Sequence, residues 1–328
     1  MIAQYFKLFY YPCKNYFYMQ QITNQLLMIR PVAFRMNEET AVNNYFQKEL
    51  NISLEETTKA AQVEFDEFVR RLREVGVKIT VVDDIAKNNT PDSIFPNNWI
   101  SFHAGGTIVL YPMFAENRRK ERRLDIIETL GLQTTPFLKQ SIIDYSAAEH
   151  EGIFLEGTGS LLLDRVNKKA YCALSVRADE SLVRQFCKDF DYAPVLFVAN
   201  QTVNNERKAI YHTNVMMTLG ETFAVICLDS IDNKVQAEEV LRNLTADEKE
   251  IIEITEDQMH SFAGNMLQVK GRNDKKYLVM SQQAFESLTQ EQIKRIEKHC
   301  SILSSDLTTI ETLGGGSARC MMAEVSFE

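Results

Sequence analysis

Five segments of the chain open on Gly or Asn turn residues and run directly into an apolar strand: FPNNWISFH, EGTGSLLLD, YHTNVMMTLG, FAGNMLQVK and GGGSARCMMAEV. Their reference residues Asn98, Gly159, Asn214, Asn265 and Ser317 stand 61, 55, 51 and 52 residues apart. Self-similarity at such a spacing marks a repeated supersecondary unit. Units of this kind are expected to close about an axis. Closure would gather the five strand starts in one place, and the functional site is expected there.

Between these segments, helical and extended patterns alternate, which gives an α/β chain. TTKAAQVEFDEFVRRLREVG carries apolar residues at helical spacing and stops at Gly76, the residue type that most readily takes a left-handed cap. VKITVVDD then reads as a strand. Helix is likewise expected over AENRRKERRLDIIETLG, over DESLVRQFCKDF before the strand APVLFVAN, and over TQEQIKRIEKHC before the strand SILSSD.

Composition excludes several partners. The 328 residues carry a formal net charge of −9, so a phosphate-backbone partner, which needs clustered Lys and Arg, is not expected. The six cysteines, Cys13, Cys172, Cys187, Cys227, Cys300 and Cys320, form no CxxC pair and no spacing suited to zinc or to a disulfide framework. No metal is expected, and the compartment is expected to be the reducing cytoplasm. The aromatic opening MIAQYFKLFYYPCKNYFYMQ is broken by Lys7, Pro12 and Lys14, too often for a membrane span or a signal peptide. Residues 1–18 are expected to be a loose tail or an upstream start, and residues 19–328 a single domain.

Chemistry concentrates at three of the strand starts. Cys320 follows three consecutive glycines; a thiolate is a stronger nucleophile than a hydroxyl, and small neighbours would leave backbone N–H groups free to approach a developing oxyanion. The run GGGSAR lacks the Lys-Ser/Thr ending of a phosphate-binding loop. His212 sits at a strand edge, where an imidazole can serve as general acid or base. Glu156 follows an apolar run, and a carboxylate there must find a partner. Each residue alone has a structural explanation: a buried cysteine, a hydrogen-bonded histidine, an ion-paired glutamate. Three of them at three repeat positions are harder to explain in that way.

The ordered set Glu156 in LEGTGS, His212 in YHTN and Cys320 in GGGSARC resembles the Glu, His and Cys of the guanidine-modifying, or pentein, superfamily of arginine deiminases, amidinotransferases and dimethylarginine hydrolases. The resemblance runs from about Gln21 to the C-terminus, and within the superfamily the chain is similar to the citrulline utilisation hydrolase branch. It implies a five-bladed α/β propeller with pseudo-fivefold symmetry and the site on its axis. It further implies that Cys320 attacks the central carbon, that His212 shuttles protons, and that Glu156 positions histidine and substrate. ALSVRAD resembles the region that holds the substrate carboxylate, which makes Arg177 a candidate carboxylate ligand with a surface ion pair as the alternative.

The resemblance breaks at two positions. Where arginine deiminases hold a guanidinium with two aspartates, this chain reads FPNN and HTN, so Asn98 and Asn214 replace the expected carboxylates. A neutral ureido group presents both a carbonyl and N–H donors, which an amide can match, whereas two anions suit a cation. The implied reaction is hydrolysis of citrulline to ornithine, CO2 and ammonia, with no cofactor. The alternatives are an arginine deiminase or dihydrolase, with Asp92 in TPDSIFPNN taking the clamp role, and a non-catalytic pentein binding protein. The expected partner is a small amino-acid substrate, with no nucleic acid or membrane; a homo-oligomer is allowed.

Overall fold

The computed structural model describes residues 20–48, 52–134 and 141–325, with side chains described outside 131–134. The expected tail at 1–18, and Cys13 within it, lie outside the described residues.

Five three-stranded sheets share one pairing pattern. In four of them the first strand pairs antiparallel with the second, and the second pairs parallel with the third. The first sheet joins Ile100–His103, Thr107–Leu110 and Ser141–Asp144. The second joins Leu162–Asp164, Lys169–Ala173 and Ala193–Phe197. The third joins Met217–Leu219, Phe223–Ile226 and Glu250–Glu253, and the fourth Leu267–Lys270, Lys276–Ser281 and Ser301–Ser305. The fifth repeats the pattern using both ends of the described chain: Ala323–Glu324 lies antiparallel to Gln25–Arg30, which lies parallel to Lys78–Asp83. A separate hairpin, Asn200–Val203 with Glu206–Ala209, follows the second sheet.

The apolar clusters link neighbouring sheets. Along Gln25–Arg30 the side chains alternate: Leu26 and Met28 pack with Leu267, Val279 and Leu303 of the fourth sheet, while Leu27 and Ile29 pack with Ile100, Phe102 and Leu110 of the first. A third cluster joins Val109 of the first sheet to Leu163 and Cys172 of the second, and the largest joins the second, third and fourth. Strands buried on both faces read as continuous apolar runs, which is how LLMI, Leu26 to Ile29, appears in the sequence.

The helix at Leu54–Glu74 forms where expected. It starts at a capping box of Ser53 and Glu56, presents Ala61, Phe65, Phe68 and Leu72 to the core, and ends before Gly76 at φ +94°. Glu180–Phe190 and Gln290–Glu297 also form as helices, capped by Asp179 and Thr289. The expected helix over residues 115–131 is divided. Asn117–Glu121 is a 3-10 turn, Arg122 is extended at ψ 95°, and the helix begins only at Leu124. Arg118 turns into the interior onto Glu121, and Arg122 pairs with Glu149 at 2.9 Å, so buried ion pairs override helical propensity here.

Candidate active site

The first strand of each sheet is preceded by one tight turn: Pro96–Asn98, Gly157–Ser160, Thr213–Met216, the turn over 261–264 that leads into Asn265, and Ala318–Met321. These turns meet one another. Thr158 donates to Asn97 O at 3.3 Å, Thr213 to Ser160 O at 2.5 Å, Asn265 to Asn214 O at 2.9 Å, and Arg319 N to Asn265 Oδ1 at 3.0 Å. The strand starts are therefore gathered as the repeat predicts. Gly159 is the tightest point: a methyl group there would overlap Nδ2 of Asn98 and stand 2.9 Å from Nδ1 of His212.

A narrow cleft of about 10 Å³ opens at this junction, lined by Asp92, Asn98, Arg118, Arg177, His212, Gly314 to Gly316 and Cys320, among others. Cys320 is buried, and its sulfur receives Nδ2 of Asn265 at 3.2 Å and Nδ2 of Asn214 at 3.5 Å. His212 Nε2 lies 2.7 Å from Glu156 Oε2. Glu156 is fully buried, and its other oxygen accepts the N–H of Phe114 at 3.0 Å. Arg177 Nη1 is 3.4 Å and Arg118 Nη1 3.9 Å from Glu156 Oε2.

These partners set the charge states. Burial alone would raise the Glu156 carboxyl, but Arg177, the hydrogen bond from His212 and Arg118 together hold it well below the usual carboxylate range. Burial lowers His212 to about 4, with Arg177 and Arg118 adding to the effect and Glu156 opposing it. At neutral pH the pair is a carboxylate beside a neutral imidazole. Burial raises Asp92 against the pull of Arg118 and the hydrogen bond from Asn37.

Arg177 is nearly fully buried rather than in a surface ion pair. Its Nε donates to Asn43 Oδ1 at 3.0 Å, Nη2 donates to Thr40 O at 3.2 Å, and the guanidinium lies 4.7 Å from the centre of the Tyr211 ring. Asp92 Oδ2 accepts from Asn37 at 2.8 Å and Thr40 at 3.1 Å, while its Oδ1 makes no hydrogen bond. Asn98 Oδ1 accepts from Arg118 at 2.9 Å, and its Nδ2 donates to Asn97 at 3.1 Å. Asn214 keeps one unpartnered atom, Oδ1.

Arg118 carries no signal in the sequence. In ENRRKERR it reads as one charge of a solvated helix face, yet it is 2% exposed and forks onto both oxygens of Glu121 at 2.9 and 3.0 Å. Asn37, Thr40, Asn43 and Asn44 sit in a stretch without periodicity and were equally hidden. Asn265 stood at a repeat position, and that position was its signal.

The glycine run has a packing reason. Gly315, at φ +60°, ends the helix Thr308–Gly314, and its N–H is taken by Glu311 O at 3.0 Å. That N–H is therefore not free for an oxyanion. Its carbonyl accepts Tyr211 Oη at 2.6 Å. At Gly316 a side chain would stand 2.9 Å from the Phe95 ring.

Among the described residues no group of three or more His, Cys, Asp or Glu could hold a metal ion, and no helix is long and apolar enough to cross a membrane.

Comparison with known proteins fits this geometry. The profile of the family described as N,N dimethylarginine dimethylhydrolase, eukaryotic, matches residues 30–327. The chain belongs to that family. It thereby falls in the pentein, or guanidino-modifying, superfamily. No curated protein matches the sequence.

Three solved structures share this family member's fold. ArgZ, an arginine dihydrolase of the ornithine–ammonia cycle in cyanobacteria, superposes with a TM-score of 0.70 at 15% identity, over 93% of this chain and 41% of its own. This chain thus spans about two fifths of ArgZ; it covers 98% of ArgZ's N-terminal domain, with a TM-score of 0.67 at 15% identity and 92% of this chain. A dimethylarginine dimethylaminohydrolase variant bearing an S-methyl-L-thiocitrulline adduct superposes with a TM-score of 0.60 at 13% identity, over 92% of this chain and 99% of its own.

Proposed function

We propose that this protein hydrolyses a C–N bond at the terminal carbon of a ureido or guanidino amino acid, with Cys320 as nucleophile, His212 as proton carrier and Glu156 as the group that holds His212. The observation that carries the reading is the junction itself: a thiol receiving two amide donors in one cleft with a neutral imidazole backed by a buried carboxylate. The thiol gives its proton to His212 as sulfur bonds to the carbon, and His212 passes that proton to the leaving amine as the C–N bond breaks. Water, losing its proton to His212, then attacks the carbon and breaks the C–S bond. For citrulline the product of that step is carbamic acid, which breaks down to CO2 and ammonia, so the sum is citrulline plus water giving ornithine, CO2 and ammonia. The same reading takes the five sheets as blades about a pseudo-fivefold axis within one domain; it is supported by the clusters that join the fifth sheet to both the first and the fourth.

A neutral ureido end is favoured by Arg118. Its guanidinium binds Asn98, so positive charge stands close to where a cationic substrate would need an anion. In this reading Arg177, which is buried against a ring and faces Asn43, Thr40 and Glu156, takes the substrate carboxylate. One observation favours a second reading, arginine dihydrolysis: the unpartnered Asp92 Oδ1 lies in the cleft and could meet a cation. Similarity to ArgZ supports it equally.

The test is incubation with citrulline, arginine and N,N-dimethylarginine, assaying ornithine, citrulline, ammonia and dimethylamine. Ornithine from citrulline, with arginine untouched, supports the first reading. Ammonia from arginine supports the second. Release from none of the three would overturn hydrolysis of this class.

A further inference from the structure

A second cavity, of about 270 Å³, lies beside the helix Thr308–Gly314, and none of its lining residues lines the Cys320 cleft. Tyr45, Phe46 and Phe262 form part of its wall, with Phe46 and Phe262 ring centres 5.3 Å apart. Two other lining residues are almost fully buried and each leaves one polar atom without a partner. Glu311, 2% exposed, accepts Ser317 Oγ on Oε1 at 2.5 Å, and its Oε2 makes no hydrogen bond. Gln201, 1% exposed, has its Oε1 occupied by His260 Nε2 at 3.2 Å, and its Nε2 makes no hydrogen bond. A buried carboxylate oxygen and a buried amide NH2, each unsatisfied on a side chain that lines the same cavity, are costly features unless a ligand pairs with them.

We propose that this cavity binds a free α-amino acid, with its ammonium on Glu311 and its carboxylate on the Gln201 amide. The chemistry excludes simpler occupants. An amine alone would leave the Gln201 donor unpaired, and a carboxylate alone would set two anions together. A zwitterion satisfies both atoms, and Lys48 at the exposed rim adds a second donor for the carboxylate. The aromatic wall accepts the ligand's side chain and favours its cationic end. Burial pushes the Glu311 carboxyl up to about 7 against the hydrogen bond from Ser317, and a bound ammonium would reverse that shift. The site stands independently of the hydrolase reading.

The experiment is calorimetric titration of the whole Cys320→Ser protein with glycine, L-leucine and L-phenylalanine, none of which carries a ureido or guanidino end. Expected is saturable one-to-one binding of at least one, weakened about tenfold or more by Glu311→Gln and by Gln201→Leu. Should either variant fail to fold by circular dichroism, Thr312→Trp at the half-buried rim should abolish binding by filling the cavity. Absence of saturable binding at millimolar concentration would overturn the proposal. So would binding unaltered by Glu311→Gln or Thr312→Trp, or n-propylamine binding as tightly as the amino acids.

Discussion

The second and fourth sheets have the same pairing, and each follows a tight turn, but the turns carry different chemistry. Before the fourth sheet stands Asn265, whose neutral amide joins Asn214 O, Cys320 Sγ and Arg319 N. Before the second stands Glu156, an anion held by His212, Phe114 N and two arginines. One turn ties the junction together; the other supplies charge for moving protons. The repeat decides where turns meet, and single residues decide what the meeting can do.

The largest expected effect removes the thiol. Cys320→Ser should lose turnover while its melting temperature stays near wild type, because a hydroxyl is not activated as a thiol is. Near-normal activity in that variant would end the covalent mechanism.

His212→Ala should lower kcat by roughly two to four orders of magnitude, the usual share of a positioned acid–base group. Stability gives a second readout. His212 is depressed to about 4 in the folded state, so the unfolded chain binds more protons as pH falls from about 6.5 to about 4, and stability is lost across that window. The variant should lack this contribution. An unchanged pH–rate profile would remove His212 from proton transfer.

Gly159→Ala leaves every chemical group in place but pushes a methyl into Asn98 and His212. A displacement near 1 Å at reacting groups costs on the order of 10²-fold, and kcat should fall by about that much. A fully active variant would show that the turns are not held at contact.

Next comes specificity. Changing Asn98 and Asn214 together to Asp should lower kcat/KM for citrulline relative to arginine by about tenfold or more, since a site built on one hydrogen-bonding pattern rejects its analogue. Of the two, Asn214→Asp should matter more, because Arg118 already stands 2.9 Å from Asn98 Oδ1 to neutralise a carboxylate there. A constant ratio while both rates fall would make the asparagines structural and remove the basis of the ureido preference.

The smallest effect tests the tying turn. Asn265→Ala should destabilise the fold by about 1–3 kcal/mol, measured by urea unfolding, through the loss of hydrogen bonds that leave Asn214 O and Arg319 N unpaired. Its catalytic loss should be far below that of His212→Ala. A larger loss would mean the amide on Cys320 Sγ belongs to the chemistry.

Much of this molecule was written locally. The turn-plus-strand repeat, the capping box of Ser53 and Glu56, the helix stop before Gly76 and the order Glu156, His212, Cys320 are all patterns over a few residues, and periodicity or short motifs expose them. The helix expected over 115–131 is divided because helical propensity carries no information about the buried pair that Arg118 makes with Glu121, three residues on.

What only the tertiary structure decided was the pairing of charges. Arg177 reaches Asn43 and Thr40, Arg118 reaches Asn98 and Glu156, and Asn37 reaches Asp92, across separations from 20 to 137 residues. Such contacts have no period, because a buried charge takes whichever partner the packed core brings within reach. The sequence determined which groups arrive at the junction; burial beside two arginines made Glu156 an anion and His212 neutral.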